Sequence, residues 1–286
     1  MPHEENKKSD IQFITCPACA GTGKSPKGSA CKNCSGAGVI AFYAGRFFYW
    51  NLLLSVPAIK LRHLKKGLNL ALNLSAYLIG LAGLMALSYW VWSASQSIEA
   101  AGAFSFWRVK SPLILTFWIS LLFDMFVIYR LSEEEAAKQK IKKLKYNQTA
   151  KYDSPNNWSE FNKAKGKYKI EVSGGFSFAA LKTIEQAFNL ADYAKQGRVR
   201  PIHLFFNLLK DRGAAAVFSR LNVDSAKLIS KLKNQLLALG TGAGPTEISS
   251  AIKEIFFESY ISALNAGQKK VQPIHFILPI LARDKN

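Results

Sequence analysis

The chain has 286 residues, enough for about two domains beside a membrane segment. Its 38 Lys+Arg against 19 Asp+Glu give a net charge of +19, which points to an anionic partner, either nucleic acid or a membrane surface. All four cysteines lie between residues 16 and 34, which excludes a disulfide framework spread along the chain.

Residues 1–10 are polar and mixed in charge and do not read as a signal peptide. Residues 11–50 open with two copies of C-x-x-C-x-G-x-G, at Cys16–Gly23 and Cys31–Gly38. Each C-x-x-C turn points two thiolates at one ion, so Cys16, Cys19, Cys31 and Cys34 are the expected ligands of a tetrahedral Zn²⁺. Gly21, Gly23, Gly36 and Gly38 let the backbone curl close to the sulfurs, so that N–H groups can donate to them. Four cysteines leave no open coordination position, which makes the ion structural rather than catalytic. The apolar stretch before Cys16, followed by Gly23-Lys24-Ser25, also suggests a phosphate loop. That pattern needs glycine where Ala18 stands, and it explains only some of the glycines. The repeat resembles the cysteine-rich zinc modules of DnaJ-type co-chaperones, in two copies instead of four. Apolar residues 39–50, with Ala44-Gly45 as a turn, read as a hairpin extending the ribbon.

Residues 51–66 form a basic segment, with Lys60, Arg62, Lys65 and Lys66. Two apolar segments follow, 67–92 and 112–131. The first has no charge, and as a helix it extends about 39 Å, enough to cross a bilayer. The loop between them, 93–111, offers only Glu99, Arg108 and Lys110, whereas Arg130 closes the second segment and Lys138, Lys140, Lys142, Lys143 and Lys145 follow it. The positive-inside rule therefore places both flanks in the cytoplasm and the loop outside, in an integral protein of the cytoplasmic membrane. That placement in a reducing compartment disfavours disulfides among the cysteines. Tyr89, Trp90, Trp92 and Tyr129 close the spans at head-group level, and the basic flanks suit anionic lipid. Ala76, Gly80 and Gly83 form a small-residue face for close helix packing. Asp124 is the one acid inside a span, and it is read as facing the partner helix or another subunit rather than as an ion relay.

Residues 132–175 read as a charged helix and a linker, with a short strand at Tyr168–Val172. From 176 onward a repeat appears at an offset of 72. Pro201-Ile202-His203 recurs as Pro273-Ile274-His275, Ser177 meets Ser249, Ala191 meets Ala263, Val199 meets Val271 and Leu209 meets Leu281. In each copy the serine can cap a helix, and a second helix starts near the histidine. Copy one spans 176–240 and copy two 246–286. Asn286 corresponds to Ala214, so copy two lacks the counterpart of 215–239 and leaves apolar surface uncovered.

Residues 176–286 resemble the N-terminal domain of the Clp ATPases, two tandem repeats of about four helices each. The resemblance rests on Phe176-Ser177, Ala180, Ile184, Ala187, Ala191, Val199 and His203-Leu204, and on 213–239 for the later helices. With the ribbon and hairpin read from their own residues, the expected chain is mainly α: a small zinc ribbon, a two-helix transmembrane hairpin and an all-α Clp-type double repeat whose second copy is incomplete. The resemblance implies a region that recognises clients or adaptors for a Clp-type ATP-dependent unfoldase or peptidase assembly, with an ATPase module expected beyond Asn286, and the hairpin would anchor that region to the membrane. The glutamate before the histidine, which in one branch of the family reads phosphoarginine tags, is Ile202 and Ile274 here, so that recognition is not expected. His203 and His275 are read as structural, and no catalytic residue is assigned. The alternatives are a stand-alone membrane adaptor without an ATPase, and a nucleic-acid-binding zinc ribbon whose basic face, Lys24, Lys27 and Lys32, is thin and lacks an aromatic stacking platform.

Overall fold

The computed structural model describes residues 11–25, 29–96, 110–137, 158–242 and 244–283. The chain divides into two units, one of Met1–Ala58 with Lys140–Asn286 and one of Ile59–Gln139. The N-terminal decapeptide, Lys27, most of the loop between the apolar segments and the charged stretch 138–157 lie outside the described residues.

The first unit is built around a four-stranded sheet. Strand β1 (Gln12–Thr15) pairs antiparallel with β2 (Val39–Tyr43), which pairs antiparallel with β3 (Arg46–Tyr49). The β2–β3 turn is the expected Ala44-Gly45, at φ 48° and 74°. Two positive φ values give the turn twist that matches paired strands. Strand β4 (Lys169–Glu171) joins the sheet parallel to β3, with Phe48 opposite Ile170. The read strand near Tyr168–Val172 is therefore present.

Strand β2 is apolar at nearly every position because both faces of the sheet are covered. On one face Ile14, Ile40, Phe42 and Phe47 pack with the four cysteines and with Trp158, Phe161 and Ala164. Trp158 and Phe161 belong to helix α3 (Trp158–Lys163), in a stretch read as linker from its polar composition. Two buried aromatics within six residues supply enough apolar area to fix so short a helix. The other face of the sheet meets the helical repeats.

Those repeats begin with α4 (Phe178–Tyr193), followed by β5 (Arg198–Val199), α5 (Pro201–Leu208), α6 (Arg212–Arg220) and α7 (Ser225–Ala238). Copy two contains β6 (Glu247–Ile248), α8 (Ser250–Asn265), a 3₁₀ turn at Pro273–Phe276 and α9 (Ile277–Arg283). The two copies interlock by exchange. Val199 of copy one pairs with Ile248 of copy two, and Phe176 of copy one bridges to Val271 of copy two. Ser177 N–H donates to Val271 O at 2.9 Å, and its counterpart Ser249 N–H donates to Val199 O at 3.3 Å. Their hydroxyls cap α4 and α8 by accepting from Ala180 N and Ile252 N.

The second unit is a helical hairpin of α1 (Val56–Ser95) and α2 (Pro112–Ala137). Within these, Val56–Ser93 and Pro112–Ser132 are long and apolar enough to cross a membrane. Helix α1 starts eleven residues before the apolar segment, so the basic stretch Lys60–Lys66 is helical too. Ala76, Ile114, Ser120 and Val127 are buried between the helices. Gly83 faces the Ser120 side chain, Gly80 faces the Asp124 carboxylate, and a Cβ at either glycine would collide with its neighbour. Asp124 thus faces the partner helix, as read from the sequence.

Candidate metal centre and the repeat domain beside it

The two cysteine knuckles are related by an offset of 15 residues, and their hydrogen bonds repeat at that offset. Cys16 N–H donates to Gly38 O at 2.8 Å, and Cys31 N–H donates to Gly23 O at 2.9 Å. Thr22 N–H reaches Cys19 O, and Ala37 N–H reaches Cys34 O, which tightens each turn. Gly23 N–H then donates to Cys19 Sγ at 3.3 Å, and Gly38 N–H to Cys34 Sγ at 3.3 Å. Asn33 Nδ2 adds a donor to Cys16 Sγ at 3.5 Å. A side chain at Gly23 would run into Gly36 O, and one at Gly38 into Gly21 O, while both sit at φ above 70°. Glycine is required at these two positions by contact as well as by conformation.

The structure brings the four sequence-read ligands together. All four sulfurs lie within 4.8 Å of one another, and none is in a disulfide. Cys19 and Cys34 sulfurs are 3.7 Å apart. The edge of a tetrahedron with metal–sulfur bonds of about 2.3 Å is about 3.8 Å, so the donor set fits one tetrahedral ion. Burial raises the Cys16 thiol and pushes Cys34 up to about 12, whereas the backbone N–H of Cys34 holds Cys31 at about 7. A buried cation would offset the cost of ionising the buried thiols.

One residue that sequence reading passed over completes this site. Lys253 on α8 is 4% exposed, and its ammonium donates to Gly21 O at 3.1 Å, Thr22 O at 3.4 Å and Ala37 O at 2.9 Å. All three N–H bonds of the ammonium are used, as a buried charge requires. Burial lowers its pKa, and the Cys34 and Cys19 sulfurs act against that by raising it. The one available signal lay in the repeat, where the counterpart of Lys253 at the offset of 72 is Leu181, an apolar residue on an apolar helix.

Around Lys253 the ribbon and α8 share a core. Trp50 lies 4.4 Å from Phe256 and 5.3 Å from Phe176, and Phe48 lies 5.8 Å from Tyr260, centroid to centroid. Phe176, Phe256 and Phe276 join the two repeats behind them. Arg283 is held by Glu254 and Glu258 and lies over the Phe13 ring. At the rim Lys24 pairs with Glu247 at 3.3 Å. That pairing removes one of three lysines from the basic face on which the nucleic-acid alternative rested.

The two motif histidines are cap residues. His203 Nδ1 accepts from Arg200 N–H at 3.0 Å, and His275 Nδ1 accepts from Gln272 N–H at 2.8 Å. His203 is fully buried, so its Nε2–H donates to Gln196 Oε1, and Gln196 Nε2 continues to Leu236 O at 2.6 Å. Both rings are engaged in holding helix starts, and among the described residues neither has another titratable side chain as a hydrogen-bond partner.

Residues 176–283 therefore form a pseudo-symmetric double repeat of capped helices. Residues 175–286 match the family model of the Clp repeat (R) N-terminal domain, and this part of the chain is a Clp repeat domain. No curated protein matches the chain. Among solved structures, the chain is similar to the Hsp104 N-terminal domain from Candida albicans, at 14% identity over 38% of this chain and 75% of that one, with a TM-score of 0.36. A structure described under coevolution of the ATPase ClpV, the TssB-TssC sheath and the accessory HsiE protein is 23% identical, over 39% of this chain and 72% of that one, with a TM-score of 0.35. A structure from investigations of a malarial protein secretion system is 17% identical, over 38% and 78%, with a TM-score of 0.35. The assignment rests on the family match, and the internal repeat agrees with it.

Proposed function

We propose that the chain is a membrane-anchored recognition module of Clp type, in which a zinc ribbon and a Clp repeat domain bind client or adaptor proteins at the cytoplasmic face. The observation that carries this reading is the Clp repeat domain at residues 175–286, a binding domain in the ATPases that contain it. Binding, not catalysis, is the role of this stretch, and unfolding belongs to an ATPase module in the same or another chain. Cys16, Cys19, Cys31 and Cys34 hold a structural Zn²⁺, supported by the proximity of their sulfurs and the repeated N–H···S bonds. Both helices of the hairpin expose large apolar side chains, among them Leu70, Leu74, Leu78 and Met85 on α1 and Leu122, Met125 and Ile128 on α2. Such a surface is stable in lipid and not in water. With basic residues on both flanks, the hairpin spans the cytoplasmic membrane and leaves both flanking regions inside.

The test uses the full chain in detergent micelles and three labelled probes: a permanently unfolded polypeptide, a folded protein and single-stranded DNA. Saturable binding to the unfolded polypeptide alone is expected. Binding to DNA alone, lost as salt rises, would transfer the function to the nucleic-acid alternative, and binding to none would reject the recognition role. A reporter fused at Ala100 is expected on the outer side of the membrane. A cytoplasmic report there would overturn the topology. The reading frame downstream of Asn286 separates an unfoldase subunit, which continues into an ATPase, from a stand-alone adaptor, which does not.

A further inference from the structure

Two peptide groups link the repeat domain to the cysteine sulfurs. The peptide joining Thr22 to Gly23 accepts from Lys253 through its C=O and donates through its N–H to Cys19 Sγ. The peptide joining Ala37 to Gly38 does the same, accepting from Lys253 at 2.9 Å and donating to Cys34 Sγ at 3.3 Å. One ammonium thus sits behind both knuckles, with one relay to each. A cation on the carbonyl side of an amide polarises it and strengthens the bond its N–H makes, and such chains reinforce one another in a low-dielectric interior. Four thiolates on one divalent ion carry a net charge of −2, and a buried ammonium beside them offsets part of it.

We infer that Lys253 belongs to the metal centre as a positioning residue: contributed by the repeat domain, it sets the metal affinity of the ribbon through these two peptide groups. The inference rests on the zinc reading above. The absence of a counterpart lysine in copy one, where Leu181 stands, agrees with a role tied to the ribbon and not to the repeat.

The experiment uses the full chain in detergent. Wild-type protein is first assayed for bound zinc by elemental analysis, with about one ion per chain expected. A value near zero would overturn the metal reading itself, before any substitution is made. Zinc is then withdrawn with a chromogenic chelator from wild type, Lys253→Met, Lys253→Gln and Trp50→Ala. Loss of an outer partner is expected to weaken metal affinity about 10- to 100-fold in the Met and Gln variants. Cobalt-substituted protein supplies a second readout. Weaker N–H···S bonds raise the energy of the sulfur lone pairs, so the thiolate-to-cobalt band moves to longer wavelength in both Lys253 variants. Trp50→Ala loosens the same interface without touching the ammonium and leaves the band in place. A Met or Gln variant with wild-type affinity and a wild-type band would overturn the proposal. So would an equal band shift in Trp50→Ala, which would make Lys253 a docking contact only.

Discussion

His203 shows how a motif residue can be indispensable without being chemical. Its ring is fully buried, and burial lowers its pKa from the ordinary 6.5 to about 4. Above pH 6.5 the imidazole is neutral in folded and unfolded chains alike, and its contribution to stability is complete. As pH falls from 6.5 toward 4, the unfolded chain takes up a proton that the buried ring refuses, so stability drops. The loss reaches roughly 3 kcal/mol at most. Amide exchange across α5 is expected to accelerate over this window, and His203→Gln should flatten that limb while lowering stability at neutral pH. An unchanged pH profile in the variant would place the titration elsewhere. At Gly38 the constraint is steric. Gly38→Ala would press a methyl group onto Gly21 O and the Lys253 ammonium, so the variant is expected to lose most of its metal by elemental analysis. Gly67→Ala, in open space on α1, should leave metal content unchanged. The cysteines and glycines were legible because their chemistry is local. Lys253 was not, because nothing near it in the chain reveals which carbonyl groups lie 216 to 232 residues away.

Among the elements, the hairpin follows most directly from composition. Small residues at Ala76, Gly80 and Gly83 let α2 approach closely, and Ser120 and Asp124 fill the space the glycines leave. Gly83→Val is expected to force the helices apart and cost about 1–3 kcal/mol. Detergent-titrated unfolding would measure this, with Ala82→Val on the exposed face as the neutral comparison. An equal loss in both variants would mean that the close approach carries no stability. Strand β2 and helix α3 show the opposite case. The apolar run of β2 is explained only by its two covered faces. Helix α3 lay hidden in a polar stretch because two aromatics, Trp158 and Phe161, determine it, and they act through the cysteine core rather than through helical periodicity.

At the scale of the whole molecule, the ribbon and the repeat domain are one unit although a membrane-length hairpin interrupts them in sequence. Trp50, Phe48 and Lys253 join them, with Tyr43 and Asn265 in hydrogen-bond contact at the edge. Trp50 is 2% exposed, and Trp50→Ala is expected to cost about 3–5 kcal/mol. Hydrogen exchange should then rise together in β2 and α8. A rise confined to β2 would show the ribbon to be an appendage. Phe206 and Leu209 of copy one are buried beside α7, whereas their counterparts Leu278 and Leu281 are 73% and 43% exposed.

The sequence by itself determined the cysteine site, the apolar hairpin, the 72-residue repeat and its likeness to the Clp repeat domain. Each is written in short-range spacing: ligand turns, unbroken apolar runs, and capped helices at a constant offset. The tertiary structure alone decided that the sheet of the ribbon lies on α8, that β4 and α3 belong to the ribbon, and that a lysine of the repeat domain stands behind two of the thiolates. Those contacts join residues more than a hundred positions apart, and they follow from which apolar faces and which unsatisfied carbonyl groups meet when the chain closes.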